Sequence, residues 1–490
     1  MRVILAEKPS VAQSIAAVLG ADQKKNGYLQ GENDLVSWCI GHLIELAPPE
    51  IYDARYAKWR REDLPIVPSA WESVVSDGTK KQFAVLKDLL NRTDVDEVVC
   101  ATDAGREGEL IFRMVYEKTG CTKPVKRLWI SSLEESAIRE GFRSLKPGTA
   151  YDALYRAALC RAQADWLVGI NGTRLYSRLY GTKLNVGRVM TPTLAMVAQR
   201  EKEIAAFQVE RFYTVQLSCG FPAQSGRIKT REEAERIRAS CHCKKAAVKQ
   251  IERRQKKEKP PKLYDLTALQ RDANRIYGYT AQQTLDYAQT LYEKKLATYP
   301  RTDSRFLTHD LRDRLPALIE CVAQVLPFAS GLPLAVHTQQ VIRDEKVSDH
   351  HAIIPTQNMT REALAQLPMG ERSILTLLAV PVRLLAATGE PCETDEVTVM
   401  LDCEGHDFTA KGSTVRQMGY RVFEETFRGS LGSRERKERE YPIPPLEIGQ
   451  TVGPVVATIR EGQTTPPKRY TDVIFCERKE WIGIEERSSA

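Results

Sequence analysis

The sequence predicts a multidomain chain: an N-terminal α/β domain on a parallel sheet, then a basic helical stretch, then a β-rich domain interrupted by a helical insertion. Three observations carry that expectation. At 490 residues the chain is too long for one core and has room for three or four domains. Residues 1 to about 150 alternate strand-like and helix-like patterns, and such alternation implies a parallel sheet. Strand-like segments then occur twice, from Phe207 onward and again near residues 396–410, with helical patterning between them. Two β-rich stretches around a helical one argue for a discontinuous domain.

Taken in order, Arg2 to Ala6 reads as a strand. Pro9 opens a helix at a favourable first-turn position and sets Val11, Ile15, Val18 and Leu19 on one side. Val98, Val99, Cys100 and Ala101 read as a second, buried strand, which breaks into DAGREGE. The acids of that turn, Asp103, Glu107 and Glu109, admit two readings: a solvated helix start, where carboxylates are favoured, or a divalent-cation site. Arg127 to Ile130 reads as a third strand, with Ser132 and Glu135 at capping-box spacing before another helix. Ligands of parallel sheets gather at the carboxyl ends of the strands, so Glu7 and Asp103 share one crevice if their strands are neighbours.

From Tyr151 to about Glu203 the pattern is helical, with Arg156, Arg161, Arg174, Arg178 and Arg188 interleaved with Tyr155, Trp166, Tyr176 and Tyr180. That mixture suits a groove that tracks a nucleic-acid backbone and stacks bases, and equally an ordinary basic surface over an aromatic core. Strands follow, as in RFYTVQLSCG, and the charged run ERRQKKEKPPK at 252–262 reads as a linker. A helical stretch from Tyr264 to about Leu326 contains LATYPRTDSRF. There Tyr299 and Arg301 can share a face, with Pro300 stiffening the backbone between them. A tyrosine hydroxyl is a poor nucleophile and needs a cation to stabilise its phenolate, which Arg301 can supply while also bracing a phosphate. His350 and His351 sit in a loop ended by Pro355, and strands return over Glu396–Leu401 and Asp407–Ala410.

Composition sets outer limits. With 42% hydrophobic and 28% charged residues the chain reads as globular, and its net charge of +7 tilts toward a polyanionic partner. No long uncharged apolar run suits a membrane span, and the opening MRVILAEKPS has no leader character, so a cytoplasmic location is expected. The eleven cysteines, Cys100 and Cys160 among them, are expected to be small buried hydrophobes. Cys241-His242-Cys243 lacks zinc-finger spacing. No Walker A pattern is present.

The motifs, read in order, resemble those of the type IA DNA topoisomerases, bacterial topoisomerase III-like members most of all. The resemblance runs through AEKPSVA (6–12), ATDAGREGELIFR (101–113), RLWISS (127–132), ADWLVGINGTRLYS (164–177) and GRVMTPTLA (187–195). It continues in PPKLYDLTALQ (260–270), YPRTDSR (299–305), DHHAIIPT (349–356) and TTPPKRYTD (464–472). It implies a Toprim domain over 1–150, a helical DNA-groove domain over 151–206 and 436–490, a β arch over 207–262 and 380–435, and a tyrosine-bearing domain over 263–379, closed into a toroid. It implies that Tyr299 is the nucleophile, that Arg301 stabilises phenolate and phosphate, and that Glu7 and Lys8 handle proton transfer and charge at the leaving oxygen. His350 matches a phosphate-side histidine. Glu7, Asp103 and Glu107 are the implied ligands of Mg²⁺, and Arg188, Arg174, Arg161, Asn185 and Thr191 the implied DNA contacts. Single-stranded or underwound DNA is the implied partner, a monomer the expected state, and a helicase partner is not readable from the residues.

Departures from the family pattern temper the expected activity. The acidic motif usually reads acid-x-acid-x-Glu, and Gly105 stands where the middle acid belongs, so weaker metal binding is expected, with Glu109 a conceivable substitute. Met190 replaces a usual glutamine. The resemblance ends abruptly after Asp472, which raises the expectation that the reading frame is altered at about Val473 and the helical DNA-groove domain left incomplete. The alternative function is therefore a catalytically weak single-strand-binding remnant.

Overall fold

The computed structural model describes residues 1–326, 331–332, 336–347, 350–379, 383–431 and 442–471. The region from Asp472 onward, including the expected break at Val473, lies outside them, as does Asp349.

The N-terminal sheet has the expected parallel centre. Strand β1 (Arg2–Ala6) lies between β2 (Asp34–Trp38) and β3 (Glu97–Ala101), parallel to both, and β4 (Val125–Arg127) continues the sheet beyond β3. Short antiparallel strands close both edges. Because side chains alternate across a strand, the sheet buries two separate layers. Val3, Leu5, Val98 and Cys100 face one layer, and Ile4, Ala6, Val99 and Ala101 the other. The second layer is completed by Tyr292 and Tyr299 from a distant domain.

Two expectations at the third strand are corrected. β4 stops at Arg127, since Leu128 makes the last ladder bond to Cys100 and residues 128–131 then leave the sheet toward Tyr299. Ser132 and Glu135 form no capping box: the helix begins at Glu135 with Glu134 as its N-cap, and the Ser132 hydroxyl accepts from the Glu134 N–H at 3.2 Å.

The basic helical stretch is α1 (Asp152–Tyr180) and α2 (Met190–Ala205). The segment between them crosses α1 where Gly172 leaves space, because a Cβ there would lie 2.9 Å from Val186. The run at 252–262 is no linker. Its first part ends strand β6 (Ala246–Glu258), which pairs with β7 (Cys392–Cys403), and β7 pairs in turn with β8 (His406–Gln417). The run is charged because this end of the ribbon is exposed, with Lys256 facing Glu396 and Lys257 facing Glu393. Strands β5 (Arg211–Ser218) and β9 (Val456–Gln463) belong to the same seven-stranded sheet, with short strands Pro222–Gln224 and Thr451–Val452. The arch therefore takes residues from the 436–490 range expected for the helical groove. The helices Leu384–Ala387 and Arg421–Ser430 likewise pack into the core of the tyrosine-bearing domain rather than the arch.

That domain is helical at Leu266–Tyr277, Ala281–Glu293 and Leu315–Val325, while 294–314 holds only a short 3₁₀ turn. Tyr299 lies in this irregular stretch. Cys100 is buried as expected, whereas Cys160 is exposed on α1. No helix among the described residues is long and apolar enough to cross a membrane.

Candidate active site

Register decides the first feature of the site. Ala6 and Ala101 are paired across β1 and β3, so the residues that follow, Glu7 and Asp103, emerge side by side. The Asp103 N–H donates to Glu7 Oε2 at 3.3 Å. The turn bearing Asp103 is held from below: Arg127, fully buried, donates to the carbonyls of Cys100, Thr102 and Asp103. Gly108 permits the close packing of the following helix (Arg106–Thr119), since a Cβ there would fall 2.1 Å from the Asp103 carbonyl oxygen. Gly105, by contrast, has φ 173 and open space around it. Glu109 does not enter the site; it is buried beneath it, 2.9 Å from Arg113 and 3.2 Å from Arg127.

Tyr299 reaches these acids from across a domain seam. Its backbone N–H donates to the Ser131 carbonyl at 3.1 Å, and its hydroxyl acts on the Asp103 carboxyl, pulling it down against burial. The ring is buried, edge-on to Tyr292 and 4.3 Å from the His350 ring. Burial, then the charges of Asp103 and Glu7, holds the phenol well above its ordinary range, and Arg301 opposes them. Burial also raises the Glu7 carboxyl to about 7, helped by Asp103 and resisted by Lys8. Asp103 is raised by burial against Lys8, Tyr299 and Arg301. Lys8 extends across the seam to Glu293, 3.7 Å away. His350 is 4% exposed; burial pushes its ring down to about 3, so it is neutral at physiological pH.

A cavity of about 540 Å³ opens over this group, lined by Glu7, Asp103, Glu107, Arg161, Tyr299, Arg301 and His350. The catalytic residues expected from sequence thus converge, Lys8 at the rim. The expected metal ligands converge less well. Glu107 leans away onto His42, 2.6 Å from its Nε2, which lowers the Glu107 carboxyl and raises His42. Among the described residues no three His, Cys, Asp or Glu side chains gather closely enough to hold a metal. The expected DNA contacts also separate. Arg161 lines the cavity and Arg188 is exposed, paired with Asp165 at 2.7 Å. Asn185 and Thr191 are exposed, the latter accepting from the Gly187 N–H. Arg174 is buried, donating to the Tyr56 carbonyl and lying over Trp59.

Sequence reading missed His42, Arg127 and Ser131. Arg127 reads from sequence as an ordinary strand residue, and Ser131, just past that strand, carries no local signal.

Family models match nearly the whole chain: a Toprim domain over residues 2–133 and a DNA topoisomerase model over 149–477. The chain belongs to the type IA DNA topoisomerases. DNA topoisomerase 3 of Bacillus subtilis (strain 168) is 41% identical over 484 residues, covering 96% of this chain and 66% of the relative. DNA topoisomerase 3 of Bacillus anthracis is 41% identical over 493 residues, covering 98% and 67%. The chain thus spans about two thirds of the length of these relatives. Among solved structures, full-length topoisomerase I from Thermotoga maritima superimposes with a TM-score of 0.75 at 23% identity, covering 99% of this chain and 76% of that one. The shared architecture is that of a type IA topoisomerase, with the Toprim domain, a metal-binding domain type, at the N-terminus.

Proposed function

We propose that this chain is an ATP-independent type IA topoisomerase that cleaves one DNA strand through Tyr299, passes a strand and rejoins the break. The observation that carries the reading is the meeting of Tyr299, Asp103, Glu7 and His350 in one cavity at a domain seam, with Arg301 and Lys8 beside them. Asp103, whose carboxyl the Tyr299 hydroxyl acts on, takes that hydroxyl's proton. The phenolate oxygen attacks phosphorus and the bond to the 3′ oxygen breaks, giving a 5′-phosphotyrosyl link. Glu7, with a carboxyl near 7, holds a proton for that leaving oxygen at neutral pH, and Lys8 steadies its charge. Arg301 and His350 face the phosphate. Rejoining is the reverse, and the bond energy kept in the phosphotyrosine removes any need for nucleotide hydrolysis.

The donor chemistry fits Mg²⁺ in the mode that uses one or two carboxylates, water and substrate phosphate. Glu7 and Asp103 would hold it, with Glu107 joining on release from His42. Bound there, the cation supplies positive charge that offsets the crowded carboxylates and an incoming phosphate. The strand is taken to run past Arg161 and Arg188. The enzyme is taken to act as a monomer in the cytoplasm, with Mg²⁺ its cofactor and underwound or single-stranded DNA its substrate. A second reading, a catalytically weak DNA-binding form, is favoured by Gly105 and by the Glu107–His42 bond.

The deciding experiment is covalent trapping on a labelled single-stranded oligonucleotide, resolved on a denaturing gel. Wild type should give a protein–DNA adduct. Tyr299→Phe, which keeps the ring packing, should give none while still binding the strand. Binding without any wild-type adduct would select the second reading.

A further inference from the structure

His350 presents an unusual combination. It is almost fully enclosed and lines the active-site cavity, its Nε2 is buried with no hydrogen-bond partner among the described residues, the Ala104 backbone acts on the ring to raise its pKa, and its Nδ1 lies 2.9 Å from the Ser131 hydroxyl. A neutral imidazole carries one ring proton, and the partner of one nitrogen decides which nitrogen holds it. If Nδ1 donates to Ser131, Nε2 carries a lone pair, which repels a phosphate oxygen. If Ser131 donates to Nδ1, the proton sits on Nε2, which is then a donor.

We infer that Ser131 is a positioning residue that fixes His350 as the Nε2–H tautomer, so that a neutral histidine donates to the phosphate while the same serine's carbonyl anchors the nucleophile's backbone. The inference rests on the proposed cleavage reaction. One residue of the Toprim domain bonds both chain segments that carry the tyrosine-side chemistry: its carbonyl accepts from the Tyr299 N–H at 3.1 Å and its hydroxyl meets His350. Trp129 lies near-parallel to His350 with ring centroids 6.5 Å apart and stacks on Tyr151 at 4.9 Å. A half-turn about the Cβ–Cγ bond would put Cδ2 in place of Nδ1 and Cε1 in place of Nε2 and so break the bond to Ser131, and the Tyr299 ring 4.3 Å away leaves the imidazole in the orientation that keeps it. A neutral donor also suits this place chemically. A histidinium beside the phenol would offer a second proton and a charge to be desolvated, whereas an Nε2–H donates without either.

The test uses the full chain. Nitrogen NMR of the ring in protein labelled at histidine reports which nitrogen is protonated, with no DNA present. Wild type should show Nδ1 unprotonated and Nε2 protonated. Ser131→Ala should lose that preference and Ser131→Thr, which keeps the hydroxyl, should restore it. In cleavage assays Ser131→Ala should lower the single-turnover rate about tenfold, the scale of one lost hydrogen bond, with oligonucleotide affinity nearly unchanged. Ser131→Thr should recover the rate, and adding Ser131→Ala to His350→Ala should cost nothing further. A wild-type ring protonated on Nδ1, or an unchanged tautomer in Ser131→Ala, would overturn the assignment of Ser131 alone. Absence of any wild-type adduct would instead overturn the proposed reaction and leave the ring result standing.

Discussion

Asp103 and Glu109 issue from the same turn and helix, yet one is left exposed to chemistry and the other is locked away from it. Glu109 is 1% exposed and meets two arginines, Arg113 and Arg127, which are themselves bonded to backbone carbonyls. Asp103 and Glu7 meet each other, a phenol, and cations that stand further off. The saturated cluster fixes the turn, and a turn fixed from beneath can hold two carboxylates close together without relaxing. Stability and reactivity are thus divided between neighbouring acids of one motif.

The sharpest way to break this division is Glu109→Gln. It leaves buried Arg127 without its counter-charge and should cost about 3–5 kcal/mol in denaturant unfolding, the range for one partner of a buried pair. Glu7→Gln should cost nothing at pH 8. Equal losses would show that the two clusters are not different in kind.

The next effect is a pH dependence of stability. A carboxyl raised from 4.5 to about 7 on folding means that the folded chain holds this proton more tightly than the unfolded one. Its contribution is full below about 4.5 and is lost as pH rises through about 7. The unfolding free energy of wild type relative to Glu7→Gln should fall across that window, by an amount on the order of 2–3 kcal/mol, read from denaturant melts at each pH. A difference that grows with pH would show Glu7 to be stabilised as the anion.

A smaller effect separates the two groove arginines. Arg188→Ala should weaken single-strand binding and reduce the slope of log K against log salt by about one, as for a lost phosphate contact. Arg174→Ala should instead lower the melting temperature, because its side chain is spent on Tyr56 and Trp59. Fluorescence anisotropy over a salt series, beside thermal melts, distinguishes them.

The smallest stability change is expected at Gly105→Asp. The extended φ of 173 suits any residue and an added Cβ meets nothing within 4 Å, so unfolding should shift by less than about 0.5 kcal/mol. The Mg²⁺ concentration needed for rejoining should nevertheless fall severalfold, since a further carboxylate raises affinity for the cation. An unchanged requirement would mean that position 105 lies outside the metal's reach.

Much of this site was legible because its signals are local. Strand, turn and helix around Glu7 and Asp103 announce themselves by apolar runs and glycines, and YPR places Tyr299 beside Arg301 within three residues. The residues that were not legible act through distant approach. Ser131 matters because it lies against Tyr299 and His350, and His42 because it reaches Glu107, neither of which is a sequence neighbour. The charged run at 252–258 misled for a different reason: an exposed ribbon can pair its backbone while showing water the composition of a linker. Arg174 misled in the opposite sense, a basic residue that is buried.

The attachment of the tyrosine-bearing domain has a mechanical consequence. Glu258 ends β6, Cys392 begins β7 opposite it, and Gln417 ends β8 opposite Glu393, so three passages of the chain leave the arch at one end of one ribbon. Adjacent strands are only about 4.8 Å apart. The domain therefore hangs from a narrow stalk, and Tyr420 and Arg421 bond Glu258 just where that stalk begins. A tug on Tyr299 along the strands would load the ladder in shear, with its paired bonds bearing force together, while a sideways push would meet the bending stiffness of the ribbon and the seam contacts of Tyr299 and Glu293. Such a suspension is stiff in tension and compliant in torsion.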